Sequence, residues 1–186
     1  MLLVRKECNM NKYMKIAIEL AEDNLITNAG GPFGAVVVKD GEIVGKGSNQ
    51  VVASNDPTAH AEVTAIRDAC KKLGTYDLEG CEIYTSCYPC PMCMSAIIWA
   101  NIKTVYYGNT KEDAAAIGFR DDYIYKFMEK LSGVGKLVEK KLTEKRTEIS
   151  VSSEEEKHTV ALIEIDREES INSFNKFAKK IDKTIY

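Results

Sequence analysis

Apolar and polar positions along the chain follow two rhythms. Between residues 12 and 28, Met14, Ala17, Ile18, Ala21 and Leu25 recur at steps of three and four, which predicts an amphipathic helix. Gly30-Gly31-Pro32-Phe33-Gly34 breaks it into a loop. Residues 35–39 and 42–46 then flank Asp40-Gly41, the signal of a tight β-hairpin. Val36-Val37-Val38 is apolar on both faces, which puts this first strand in the interior of a sheet. After a polar loop at 48–57, Asp56-Pro57 predicts a second helix, with Asp56 as N-cap and Gly74 as its stop. Residues 82–85 read as a strand. Pro91 opens a helix through Met94, Ile97, Ile98 and Trp99, and 104–108 read as a further strand. Strand, helix and strand at that spacing imply a parallel crossover.

After Gly118 the character changes. Asp121 is placed to cap a helix over 123–128. Residues 129–158 are rich in Lys, Glu and Ser, and Glu154-Glu155-Glu156 reads as a solvated turn. One more strand is expected over 159–165, and a last helix over 171–180 with Phe174, Phe177 and Ala178 on one side. The expected fold class is α/β, with a central mixed five-stranded sheet between two helical layers. Residues 1–9 read as a leader, with Met10 as an alternative start. Residues 10–130 read as the core, and 131–186 as an extended C-terminal segment.

Composition narrows this. Hydrophobic residues make up 45% of 186, enough for a real core, which excludes a disordered or collagen-like chain. No apolar run approaches the roughly 20 residues of a membrane span. With 25 Lys+Arg against 28 Asp+Glu the net charge is −3, against the basic surface of a phosphate-backbone binder. The cysteines are Cys8, Cys70, Cys81, Cys87, Cys90 and Cys93. An even count invites disulfides, but the last three crowd together and a chain of this length needs no staples. The first residues are too short and charged for a signal peptide. A reduced, cytoplasmic protein with metal-binding thiolates is expected.

His60-Ala61-Glu62 falls at the start of the second helix, and Pro89-Cys90-Pro91-Met92-Cys93 at the start of the third. One imidazole and two thiolates supply three tetrahedral Zn2+ ligands and leave a fourth position for water, the arrangement of a catalytic zinc site. Zinc would bring that water's pKa to about 7, giving hydroxide as the nucleophile. Glu62 beside it would shuttle the proton to the departing amine. Residues two apart in a helix point to different sides, so His60 and Glu62 converge only over the helix end. Cys87 leaves an alternative open, a closed four-ligand structural site with His60, Cys90 and Cys93.

These two motifs together resemble the signature of zinc nucleobase deaminases. Longer stretches resemble bacterial guanine deaminases of the cytidine deaminase-like superfamily. They are Gly30 to Val36, Ser54 to Arg67, Tyr84-Thr85-Ser86-Cys87, Pro89 to Cys93, and Gly118-Phe119 followed by Asp121 and Ile124-Tyr125. The resemblance implies a three-layer deaminase fold, one zinc per subunit held by His60, Cys90 and Cys93, and hydrolysis of the free base guanine to xanthine and ammonia. It implies substrate-binding roles for Asn49, Phe33, Ala61 and Tyr186, with Phe33 stacking on the ring. Asp121 would be a second catalytic acid beside Glu62. It also implies a homodimer whose C-terminal segment crosses to the partner, so that Tyr186 closes the partner's site.

Two features depart from the family pattern. Tyr88 stands where the family usually has Glu, and the stretch over 136–165 is longer than its counterparts. The rival activities are deamination of transfer-RNA adenosine, kept open by the basic residues between 136 and 146, and of cytosine or a purine nucleoside. A rival of another class is a non-catalytic zinc module.

Overall fold

The computed structural model describes residues 10–132, 146–149 and 159–186. The expected leader at 1–9 and the Glu154-Glu155-Glu156 turn lie outside them. In chain order the elements are α1 (Lys12–Thr27), β1 (Gly34–Lys39), β2 (Glu42–Ser48), α2 (Val51–Ser54), α3 (Ala61–Leu73), β3 (Cys81–Cys87), α4 (Pro91–Trp99), β4 (Thr104–Asn109), α5 (Lys111–Ala116), α6 (Asp121–Ser132), β5 (Arg146–Ile149), β6 (Val160–Glu164) and α7 (Arg167–Lys179).

The sheet runs β2-β1-β3-β4-β6-β5. β1 pairs antiparallel with β2 and β3, while β3–β4 and β4–β6 are parallel, so the sheet is mixed as the patterning implies. The triple valine is covered on both sides. Val36 and Val38 pack with Ile16 and Leu20 of α1, whereas Ala35 and Val37 pack with Ala65 and Ile66 of α3 and Ile97 of α4. On the α1 side, α7 buries Phe174 and Phe177. The three layers follow. α3 lies unusually close to β2, because Gly45 and Gly47 present no side chain. A Cβ on Gly47 would stand 2.3 Å from the Ala61 carbonyl oxygen.

The structure differs from the sequence reading in several places, the short helix α2 within the expected polar loop among them. It adds a sixth strand, the four-residue edge strand β5, antiparallel to β6, in the polar stretch read as irregular. The second long helix starts at Ala61 rather than at Pro57. The Asp56 carboxylate instead accepts from the Thr58 amide (2.8 Å) and hydroxyl (2.6 Å), which makes a turn rather than a helix cap. Asp121 is the first residue of α6 rather than its N-cap. α5 is new, a six-residue helix closed by a Thr110/Asp113 capping box. Of the cysteines outside the metal motif, Cys70 is only half-buried, while Cys81 and Cys87 are buried.

Candidate active site

Two helix starts meet beyond the carboxyl ends of β3 and β4, where Cys87 and Asn109 pair across the sheet. His60 is the N-cap of α3 with extended backbone (φ −68°, ψ 159°). That conformation turns its ring off the helical spiral, so it converges with Glu62, the second helical residue. Cys90 caps α4 in the same way (φ −64°, ψ 167°), with Pro91 at the first turn and Cys93 behind it. Helix N-termini favour negative charge, which suits thiolates there.

The ligand geometry can be tested against zinc. Cys90 Sγ and Cys93 Sγ each lie 3.6 Å from His60 Nδ1. With bonds of about 2.3 Å to sulfur and 2.0 Å to nitrogen, a tetrahedral ion demands an S···N edge of about 3.5 Å, close to the observed distances. The donor set fits. Among the described residues these three form the one group of His, Cys, Asp and Glu side chains able to hold a metal. Cys87 is not part of it. Its thiol donates to the Thr110 carbonyl, and burial pushes its pKa well up, so the closed four-ligand site is not what the structure holds.

Glu62 is buried and accepts from the Cys93 thiol at 3.3 Å. Burial first, then the Cys90 charge, push its pKa up to about 7. Asp121 is pushed up to about 6, again chiefly by burial and then by Cys90. Both carboxyls can therefore carry a proton near neutrality, and a bound dication draws the values down again. In the thiol pair, the neighbouring Cys93 thiol and His60 hold Cys90 below the ordinary range, so Cys90 carries the charge.

A small cavity opens over this cluster. Phe33, Asn49, His60, Glu62, Cys90, Asp121 and Tyr186 all line it, together with Cys87, Tyr88 and Phe119. Ala61 is the first residue of α3, so its backbone N–H has no helical partner. Phe33 meets Phe119 and Phe174 edge-on at 4.8 and 5.4 Å. The Tyr186 hydroxyl donates to Asn49 Oδ1 (2.6 Å) and accepts from the Gly31 amide (3.2 Å), within the same chain. Sequence reasoning assigned nothing to Asn24, whose buried amide donates to the Gly31 and Asn49 carbonyls. It named Tyr125 only as part of the resemblance and gave it no role, whereas its hydroxyl donates to the Pro89 carbonyl next to ligand Cys90.

A His-Cys-Cys zinc centre at paired helix starts, with a protonatable Glu beside it, defines a zinc-dependent deaminase centre. The chain belongs to the cytidine and deoxycytidylate deaminase zinc-binding family, whose zinc-binding region matches residues 8–109. Guanine deaminase of Bacillus subtilis is 56% identical over 122 residues, 66% of this chain and 78% of that protein. Its X-ray structure matches with a TM-score of 0.61 at 57% identity, covering 63% of this chain and 76% of that one. A tRNA-specific adenosine deaminase of Aquifex aeolicus is 49% identical over 76 residues, 41% of this chain and half of that protein. Guanine deaminase from Nitrosomonas europaea, at 24% identity, shares the fold with a TM-score of 0.67 over 89% of this chain and 82% of that one.

Proposed function

We propose that this chain hydrolyses guanine to xanthine and ammonia. The observation that carries the reading is one cavity lined by the zinc ligands His60 and Cys90, by Glu62 and by the Asn49 amide, in a chain 56% identical to a guanine deaminase. The Val51 amide can only donate, so the Asn49 atom it meets at 3.1 Å is the oxygen. Asn49 therefore turns its NH2 to the base as a donor, with Phe33 against the ring. Zinc, when bound, activates water as a nucleophile near neutral pH. Glu62 takes the proton as water adds at the amine-bearing carbon. It returns that proton to the amine nitrogen as the C–N bond breaks and ammonia leaves. Asp121, which lines the same cavity, assists the same transfer. Tyr186 roofs the cavity and excludes water.

The reading extends to the assembly. α4 exposes Ile98 and Trp99, and α6 exposes Tyr123, Ile124, Phe127 and Met128. Apolar faces of this kind support a homodimer, and exchange of the C-terminal segments rests on the family resemblance alone. The free thiols support a reducing, cytoplasmic setting. No helix among the described residues is long and apolar enough to cross a membrane. A substrate panel with zinc quantified per chain tests the activity. Guanine is expected to yield xanthine with about one zinc per chain. Turnover of tRNA adenosine or cytosine without guanine overturns the reading.

A further inference from the structure

We infer that Asn24 is a positioning residue for the base-binding wall: one buried amide sets where both Asn49 and the seat of Tyr186 stand. Asn24 lies on α1, far in sequence from the zinc motifs, and is 3% exposed. Its Nδ2 donates 2.9 Å to the Gly31 carbonyl and 2.7 Å to the Asn49 carbonyl. Those two residues are the ones that hold the Tyr186 hydroxyl, Gly31 through its amide and Asn49 through Oδ1. The four residues thus form a closed ring of hydrogen bonds, Asn24 to Gly31 to Tyr186 to Asn49 and back to Asn24.

The ring has little slack. A Cβ on Gly30 would stand 2.1 Å from Asn49 Oδ1, so the loop already touches the amide. The Asn49 backbone N–H in turn donates to the Phe33 carbonyl at 3.0 Å, which ties the residue carrying the stacking ring to the same wall. The two carbonyls that Asn24 gathers sit on the loop before β1 and the turn after β2. Asn24 bridges these two segments from α1, as the Tyr186 hydroxyl does from the cavity. Without it the carbonyls lose their shared donor, which shifts the base donor and loosens the two contacts of Tyr186.

The test is a double-mutant cycle of Asn24→Ala with Tyr186→Phe, read two ways. The substrate arm rests on the guanine reading. Asn24→Ala is expected to raise KM about tenfold with kcat within about threefold and zinc per chain unchanged, the split expected when binding rather than transition-state contacts is lost. The second arm needs no substrate and follows amide hydrogen exchange at Gly31. Each single variant is expected to speed it about tenfold, with the double variant no faster than either, because coupled residues are not additive. If guanine is not turned over but exchange behaves so, the functional reading fails and the positioning role stands. Additive effects on exchange, or exchange unchanged in Asn24→Ala, overturn it. Asn24→Ser, which keeps a shorter donor, is expected to fall between wild type and Asn24→Ala. Failure of both Asn24 variants to fold makes the amide a requirement of the core and also overturns the role.

Discussion

Glu62 is a buried carboxyl in contact with a zinc ligand, and its position decides what it can do. It touches Cys93 rather than completing the ligand set, and its pKa lies at about 7. Removing it should therefore spare the metal and cost the chemistry. Glu62→Ala is expected to keep zinc, by metal analysis, while turnover falls by at least about 10²-fold, the ordinary worth of a general acid–base group. Normal turnover would assign the proton to another group. His60, Glu62, Cys90 and Cys93 were legible because chemistry imposes their spacing on the sequence itself. Asn24 left a fainter mark. It stands three residues after Ala21, on the buried stripe Met14-Ala17-Ile18-Ala21, where an amide is out of place. A polar residue on such a stripe signals a buried partner, but the partners are backbone atoms of other segments, which no local pattern displays.

At the scale of elements, the short helix α5 does more than its length suggests. The Asp113 carboxylate closes the Thr110 capping box and also takes two hydrogen bonds from Arg167, at 2.7 and 3.1 Å, joining α5 to the start of α7. Burial pushes the Asp113 pKa up, but the Thr110 amide and Arg167 outweigh it, so the pKa sits below the ordinary value. A lowered carboxyl pKa adds stability that is complete above about pH 4 and is lost as pH falls through the lowered value. Asp113→Ala is expected to cost about 1–2 kcal/mol at pH 7. In urea unfolding, the gap between variant and wild type should narrow towards pH 3. A gap independent of pH would mean that packing, not the charge, accounts for the loss. Long elements with a clear rhythm, such as α1 and the β-hairpin, were readable from the sequence. α5 was not, since six residues are too few to show a period. The start of α3 was misplaced because Asp56 serves a turn and a cap with equal chemistry.

The largest scale concerns what completes the pocket. Within one chain Tyr186 seats on Asn49, and exchange of C-terminal segments would seat it on the partner's pocket instead. Co-expression of Asn49→Ala with Tyr186→Ala separates the two arrangements. Under exchange, one site in each mixed dimer has both residues, so activity well above that of either variant alone is expected. No recovery would assign Tyr186 to its own chain's pocket. Either way, the roof belongs to the far end of the sequence, 137 positions from Asn49 and 155 from Gly31. This has a consequence for how the enzyme acquires its metal. The three ligands at 60, 90 and 93 leave the ribosome well before Tyr186, by roughly 5 to 20 s at ordinary elongation rates. The nascent chain can thus offer an uncovered cleft to the ion, and the residue that shuts it is made afterwards. Order of synthesis alone lets loading precede enclosure.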